Sequence, residues 1–433
     1  MNLHLISKRW LFFICLVSQL VHGLEVTVEN KKNTKMPLAL VTIKPVTKEL
    51  KKVSRIVGQD LEAAGQFKVD LSHSSPLKNK KEITKLALQS KALAIYLLSP
   101  DADTIEWRLY NTFSGDMVAG KLVKREGRSI DFWAHVIADQ IWPLLTSELG
   151  SFASVIVACK RGAQKRNHKK YSHLFAFWPV ANGTTPQPVV QGERINFAPR
   201  WHPSRAQLFY SQHSPFNISL MSVLPGGKPR TIMSFDGQNM TPAVSKKGRV
   251  VISLSNRADA HLYEYQFDPK SKSGRFVLLT TGVGQYISPS FNGEDNIVFC
   301  YINKMGRPRI GMLNLKDKSI SWISKGHGVS PCVSADNSKL AYSTRVDRLL
   351  QLYCYDFKTG EQRQVTFDDG HKDECSWSPC GNYLVYSSEK GVNSRIGCLH
   401  LPTKSTRFLT PVDEHWSFPA WSPVFEHNIP FMR

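Results

Sequence analysis

Three histidines are the residues best placed by type and spacing to do chemistry: His327 in KGHGVSP, His371 in DGHKDEC and His415 in DEHWSFP. Each stands four residues before the proline, or the cysteine in its place, that opens a repeated phrase. Gln238 and Gln285 hold the same place in two other copies of the phrase. Imidazole ligates metals and titrates near neutrality, so such a row reads as a metal or pH-sensitive site. Two other readings compete: polar loops presented to a protein or peptide, and hydrogen bonding within turns. Equivalent points on packed sheets stand about 10 Å apart, too far for one shared ion without further ligands. No metal is therefore assigned, and the histidines are carried forward as loop residues.

Other catalytic constellations are missing. GRSID (127–131) lacks the second glycine of a nucleophile elbow. There is no H-E-x-x-H, phosphate-binding loop or dinucleotide fingerprint, and GVGQYIS (282–288) falls in a loop between repeats. No paired carboxylates stand out beside the histidines. Seven cysteines follow residue 23: Cys159, Cys300, Cys332, Cys354, Cys375, Cys380 and Cys398. Only Cys375 and Cys380 are close together, which is no zinc framework. Most lie in apolar strand-like runs such as IVFCY, where a buried inert thiol is expected. An odd number leaves at least one thiol unpaired or bonded to another chain. The expectation is a protein without catalytic residues or cofactor.

The elements that would position the histidines come from an internal repeat. Six phrases share a proline, one residue, a bulky apolar residue, a polar turn and a short strand. They open at Pro199, Pro242, Pro289, Pro331, Cys375 and Pro419, with spacings of 43, 47, 42, 44 and 44 residues. A period near 44 marks four-stranded propeller blades. The bulky residues, Trp201, Val244, Phe291, Val333, Trp377 and Trp421, would wedge between blades. After Pro419 only one strand has room, while SVIVAC (154–159), SHLFAFWPV (172–180) and PQPVV (186–190) have no anchor of their own. One terminal strand plus these three completes a sixth blade and removes exposed sheet edges.

Residues 36–150 lack the repeat and alternate helical and strand patterns. Leu50, Val53, Val57, Leu61 and Ala64 share one helical face. Strands are expected at 38–43, 65–71 and 92–98, a short helix at 82–92 and a hairpin over 105–125. A helix is expected at 129–145, bent or ended by Pro143. The fold class is thus a small α/β domain (36–150) followed by a six-bladed β-propeller (151–433), closed by pairing of the propeller's two terminal strands.

The amino-terminal residues speak to compartment. Lys8 and Arg9 precede the apolar run WLFFICLVSQLV, and Val21 and Gly23 suit a signal peptidase. Residues 1–23 therefore read as a secretory leader cut after Gly23, too short for a comfortable span, and 24–35 as a polar flexible arm. The chain has 56 Lys+Arg against 35 Asp+Glu, a surplus that favours acidic partners. KRGAQKRNHKK (160–170) holds six of those cations and reads as a solvated hairpin loop or a contact for anionic envelope groups. Without interleaved aromatics, nucleic acid is not expected.

Taken together, the terminal FPAWSP (418–423), the degenerate units WSPCG (377–381) and VSADN (333–337), and the opening EVTVEN (25–30) resemble the TolB family. Its members are periplasmic propeller proteins of the Tol–Pal cell-envelope system. The resemblance implies a monomeric, non-enzymatic adaptor that maintains outer-membrane integrity and envelope constriction at division. It implies binding of the lipoprotein Pal across the propeller mouth, through Gln238, Asn239, Gln285 and Tyr286 and, by symmetry, His327, His371 and His415. It also implies binding of TolA through the arm, Leu24, Glu25, Val26, Thr27, Val28, Glu29 and Asn30 onward to Asn33. The alternative class is an exported enzyme or a small-ligand or metal binder that uses the central channel.

Overall fold

The structure is a computed structural model. It describes residues 35–74, 81–82, 85, 93–111, 113–163, 170–179, 185–214, 217–235, 241–256, 259–268 and 273–425. The expected leader, the arm residues Leu24–Asn33, and Gln238 and Asn239 lie outside these, as does most of the helix expected at 82–92. No helix among the described residues is long and apolar enough to cross a membrane.

The first part of the chain forms one sheet from β1 (Met36–Ile43), β2 (Phe67–Ser74), β3 (Leu93–Asp101), β4 (Thr104–Tyr110) and β5 (Met117–Lys124), in the order β2-β1-β3-β4-β5. The first three run parallel and the last two form a hairpin. The helical face read from the sequence becomes α1 (Lys48–Ala63), capped by Thr47, which accepts from the Leu50 N–H at 3.1 Å. A second helix, α2 (Ile130–Thr146), keeps Pro143 in its last turn rather than ending there. It stops at Ser147, left-handed at φ 61°, whose N–H donates to the Pro143 carbonyl. Both helices pack on the face of the sheet that carries Leu38, Leu40, Ile95, Leu97, Ile105 and Trp107.

The later strands form the antiparallel meanders of a β-propeller. They are β6 (Ile156–Ala163), β7 (Lys170–Phe177) and β8 (Gln187–Val190); then β9 (Ile195–Trp201), β10 (Leu208–His213), β11 (Ile218–Val223) and β12 (Arg230–Phe235). Next come β13 (Ala243–Val244), β14 (Val250–Asn256), β15 (Asp259–Asp268) and β16 (Ser273–Leu278). These lead to β17 (Gln285–Asn292), β18 (Asn296–Ile302), β19 (Pro308–Asn314) and β20 (Ile320–Trp322). The series continues with β21 (Val329–Val333), β22 (Lys339–Val346), β23 (Leu349–Asp356) and β24 (Gln362–Gln364). It ends with β25 (His371–Trp377), β26 (Tyr383–Lys390), β27 (Asn393–His400), β28 (Ser405–Phe408) and the solitary β29 (Trp416–Trp421). The stretch read as a basic loop is strand at both ends, since β6 runs to Ala163 and β7 starts at Lys170.

The anchor proline has a backbone reason. In the inner strands the register slips at Ile287/Ser290, Val329/Cys332, Asp373/Ser376 and Ser417/Ala420. The residue before the anchor is left-handed each time: Ser288, Ser330, Glu374 and Phe418, as is Ala198 before Pro199. A bulge leaves one residue out of the ladder, so a proline there loses no hydrogen bond. Cys375 takes the same bulge without a ring.

Two hydroxyl devices repeat with the blades. After the bulky residue, Ser245 accepts from the Arg249 N–H, Ser334 from Lys339 and Ser378 from Tyr383, at 3.1, 2.9 and 3.0 Å. Each of these serines also donates its N–H to the partner's carbonyl. At the far end of the blade, Thr280, Ser324, Thr366 and Thr410 accept from the N–H of Leu262, Ile310, Leu352 and Ile396.

The chain's two ends reuse the first device. Strand β29 pairs antiparallel with β6, Trp421 opposite Ile156 and Ala420 opposite Val157. Ser422 accepts from the Val155 N–H at 2.8 Å and donates its own N–H to the Val155 carbonyl at 2.8 Å. A turn bond that elsewhere spans four or five residues here joins residues 267 apart. Trp421 Nε1 donates to Ser154 Oγ at 2.7 Å, and Trp201 Nε1 donates across to the Ala420 carbonyl at 3.2 Å, as Trp377 Nε1 does to Cys332.

The helical layer is tied to the propeller by buried polar groups. Asp139 on α2 accepts from the Phe152 and Ala153 N–H groups at 2.7 and 2.9 Å, and burial lifts its carboxyl to about 7. His135 Nδ1 meets Asp60 on α1 at 2.7 Å, and its ring lies 4.3 Å from that of Trp178. Burial raises the Asp60 carboxyl against the opposing pull of His135. Arg407 of β28 donates to the carbonyls of Ala63 and Pro179.

Ser422→Ala leaves the buried Val155 N–H without its side-chain acceptor. It is expected to cost about 1–3 kcal/mol in urea unfolding, matched by Ser378→Ala within a single blade. Trp421→Ala is expected to cost more, about 3–5 kcal/mol. An unchanged midpoint in all three would show that the joint does not hold the ends.

Candidate partner-binding face

Among the described residues, Gln285, Tyr286, His327, His371 and His415 sit where the chain crosses from one blade's outer strand to the next blade's inner strand. Gln285 opens β17 and is half-buried. Tyr286 follows it but turns inward. It is buried, its hydroxyl donates to the Thr281 carbonyl at 3.0 Å, and its ring packs 4.9 Å from that of Tyr301. Tyr286 thus supports this face from beneath rather than presenting its ring.

The three histidines occupy equivalent loops in different environments. His371 is exposed, and its Nδ1 accepts from the Leu350 N–H at 3.1 Å. His327 is half-buried, and its Nδ1 is enclosed with no hydrogen-bond partner among the described residues. Burial and the nearby Arg345 lower its pKa, and Asp373 pulls the other way. His415 is left-handed at φ 47°, and its carbonyl accepts from the Arg161 N–H at 3.1 Å. Among the described residues no three groups of histidine, cysteine, aspartate or glutamate lie close enough to hold a metal. The seven cysteines are all free thiols.

Two features of this face were not foreseen. The first is Lys372, directly after His371, whose side chain is fully buried. Its ammonium donates to the carbonyls of Asp369 and Gly370 at 2.5 and 3.3 Å and meets the Asp368 carboxylate at 3.0 Å. Gln351 adds bonds to the carbonyls of Asp368 and Gly370. Buried charge is tolerated only when paired and hydrogen-bonded, and here that satisfaction fixes the loop that carries His371. The only trace in the sequence is the pair Asp368–Asp369 preceding the lysine.

The second is a pair of carboxylates, Asp373 and Glu374, where none stood out from spacing. Glu374 fills the left-handed bulge position held elsewhere by Ala198, Ser288, Ser330 and Phe418. One of its carboxylate oxygens accepts from Ser387 Oγ at 2.8 Å and from the Phe418 N–H at 2.9 Å. Asp373 accepts from Ser343 Oγ at 2.7 Å and from the Glu374 N–H at 2.8 Å. Burial and the neighbouring Asp373 raise the Glu374 carboxyl to about 8. The pair is engaged with the protein's own frame, and Glu374 joins β25 to the bulge of β29.

Comparison with known proteins follows the same architecture. A family model described as the TolB beta propeller domain matches residues 142–425. The Tol-Pal system protein TolB of Gluconobacter oxydans (strain 621H) is 24% identical over 238 residues, 54% of this chain and 51% of that protein. The protein of the same name from Polaromonas sp. is 26% identical over 214 residues, 48% of each chain. The chain therefore spans about half the length of the curated relatives it matches. Among solved structures, TolB from Acinetobacter baumannii superposes with a TM-score of 0.73 at 18% identity. That match covers 90% of this chain and 97% of the other, a likeness of fold.

The raised Glu374 carboxyl has a pH consequence. In the folded state the proton is held more tightly than in the unfolded chain, whose ordinary value is near 4.5. The folded state is therefore favoured most below that value, and the contribution is lost as pH rises from about 4.5 to 8. Glu374→Gln is expected to flatten this segment of the stability–pH curve in denaturant titrations. An unchanged slope would contradict the assignment.

Proposed function

The chain belongs to the TolB β-propeller family, and from that premise we propose that it is a non-enzymatic adaptor of a Tol–Pal cell-envelope system. Its strands group into six blades, and the Ser422–Val155 joint supports closure into a ring. Residues 36–150 form a companion α/β domain and 151–433 the propeller. The chain is exported to the periplasm after loss of residues 1–23 and acts there as a monomer.

Its partner is the peptidoglycan-associated lipoprotein Pal, docked over the loops that carry Gln238, Asn239, Gln285, His327, His371 and His415. The observation that carries this reading is the hydrogen bonding that anchors the loops before Gln285, His327, His371 and His415. Thr280, Ser324, Thr366 and Thr410 pin their starts, and the Lys372 ammonium is enclosed within one of them. A surface ordered before contact loses little entropy on binding. Exposed His371 and half-buried Gln285 offer polar atoms there. The arm from Leu24 to Asn33 is assigned to TolA, and the role is maintenance of outer-membrane integrity and constriction during division.

Tagged protein drawn from cross-linked envelopes is expected to bring down a peptidoglycan-bound lipoprotein. The double variant Gln285→Glu/His371→Glu is expected to lower that recovery on the order of tenfold or more, with an unchanged unfolding midpoint. Recovery that persists undiminished would remove these loops from the interface, and the absence of any lipoprotein would remove the adaptor reading.

A further inference from the structure

The inner strands enclose a cavity of about 330 Å³. Its lining includes turn residues such as Lys246, Gly293 and Asn337, but none of the histidine-bearing loops. The residue after each anchor faces it. Five of these are small: Ala243, Ser290, Cys332, Ser376 and Ala420. Small side chains belong here, because Ser290 and Ser376 accept from the N–H of Val333 and Trp421 on the next inner strand. At the sixth equivalent position stands Arg200. Repeat geometry thus places one long cation in a space the other blades leave open.

The guanidinium has little to hold it. Its one hydrogen bond among the described residues runs from Nη1 to the Pro199 carbonyl at 2.9 Å, and no carboxylate there comes within ion-pair distance. Its charge is felt by the thiols of Cys159, Cys332 and Cys375, on strands from three different blades. The carboxylate that also lines the cavity, Glu294, sits at the turns beside Arg249, where its Oε1 accepts from the Lys247 N–H and its Oε2 is enclosed without a partner among the described residues. The remaining walls are mostly aromatic and aliphatic, with Trp201, Phe291, Trp377 and Trp421 among them.

A guanidinium is a rigid fork of five donors that fits a carboxylate in bidentate fashion. Apolar walls around a few polar groups are the usual make-up of a small-molecule site, and about 300 Å³ is the lower end of their size. We propose that this cavity binds a small aromatic carboxylic acid, its carboxylate on Arg200 and its ring against the tryptophans. The site is separate from the loops assigned to a protein partner and does not rest on that assignment.

The walls supply their own reporter. Titration of the full mature chain with benzoate is expected to change tryptophan fluorescence saturably, whereas neutral benzamide is not. Arg200→Met is expected to weaken benzoate on the order of tenfold or more, and Arg200→Lys to weaken it less. Ala243→Leu keeps the charge but narrows the cavity, and is expected to lose binding as well, which decides the matter should Arg200→Met fail to fold. No saturable response to benzoate, an equal response to benzamide, or undiminished binding by Ala243→Leu would each overturn the proposal.

Discussion

The pairing of β29 with β6, extended by the two hydrogen bonds between Ser422 and Val155, is the constraint that joins the two ends of the propeller. Without it, β29 would leave β6 with an unpaired edge and Trp421 without Ser154. The neighbouring sheet would lose the carbonyl that Trp201 bonds on β29. Glu374 would lose the Phe418 N–H. Four inter-strand relationships thus converge on the stretch Trp416–Ser422. The joint costs no new chemistry, because the same serine that tightens ordinary turns is used where the turn's own chain is absent.

Much of this architecture was legible in the sequence because propeller blades repeat. The period of the anchors places the inner strands, and the leftover strand at the end pairs where counting requires. The helix α1 follows from apolar spacing, and in the structure Thr47 and Ser129 cap α1 and α2. Pro143 misleads in part, because α2 runs on to Thr146 although the proline gives up the N–H bond an interior residue would make. What spacing could not give is side-chain direction. Tyr286 points inward because its ring fills a gap beside Phe299 and Tyr301.

The candidate faces were less legible than the fold, for a physical reason. Repeat symmetry makes equivalent positions alike, while function depends on where they differ. Lys372, Glu374 and Arg200 are each the odd residue at its repeated position, and their roles depend on partners from other strands. Alignment of the blades against one another exposes such residues, but only the fold shows that Lys372 is enclosed and that Arg200 has a single hydrogen bond among the described residues. The two hydroxyl series stand at the same period but carry little signal, because serine and threonine are common in turns.

The direction of the β29–β6 ladder bears on how the molecule responds to load. The chain enters at Val155 and leaves at Ser422, and both points lie at the same end of that antiparallel pair. Tension drawn between the two termini therefore does not shear all the bonds of the ladder together. It peels them in sequence, beginning at Ser422 and running toward Trp416. A protein fastened in this way resists pressure on its faces while yielding to a modest pull along its own backbone, so mechanical failure starts at the seam and leaves the other blades whole.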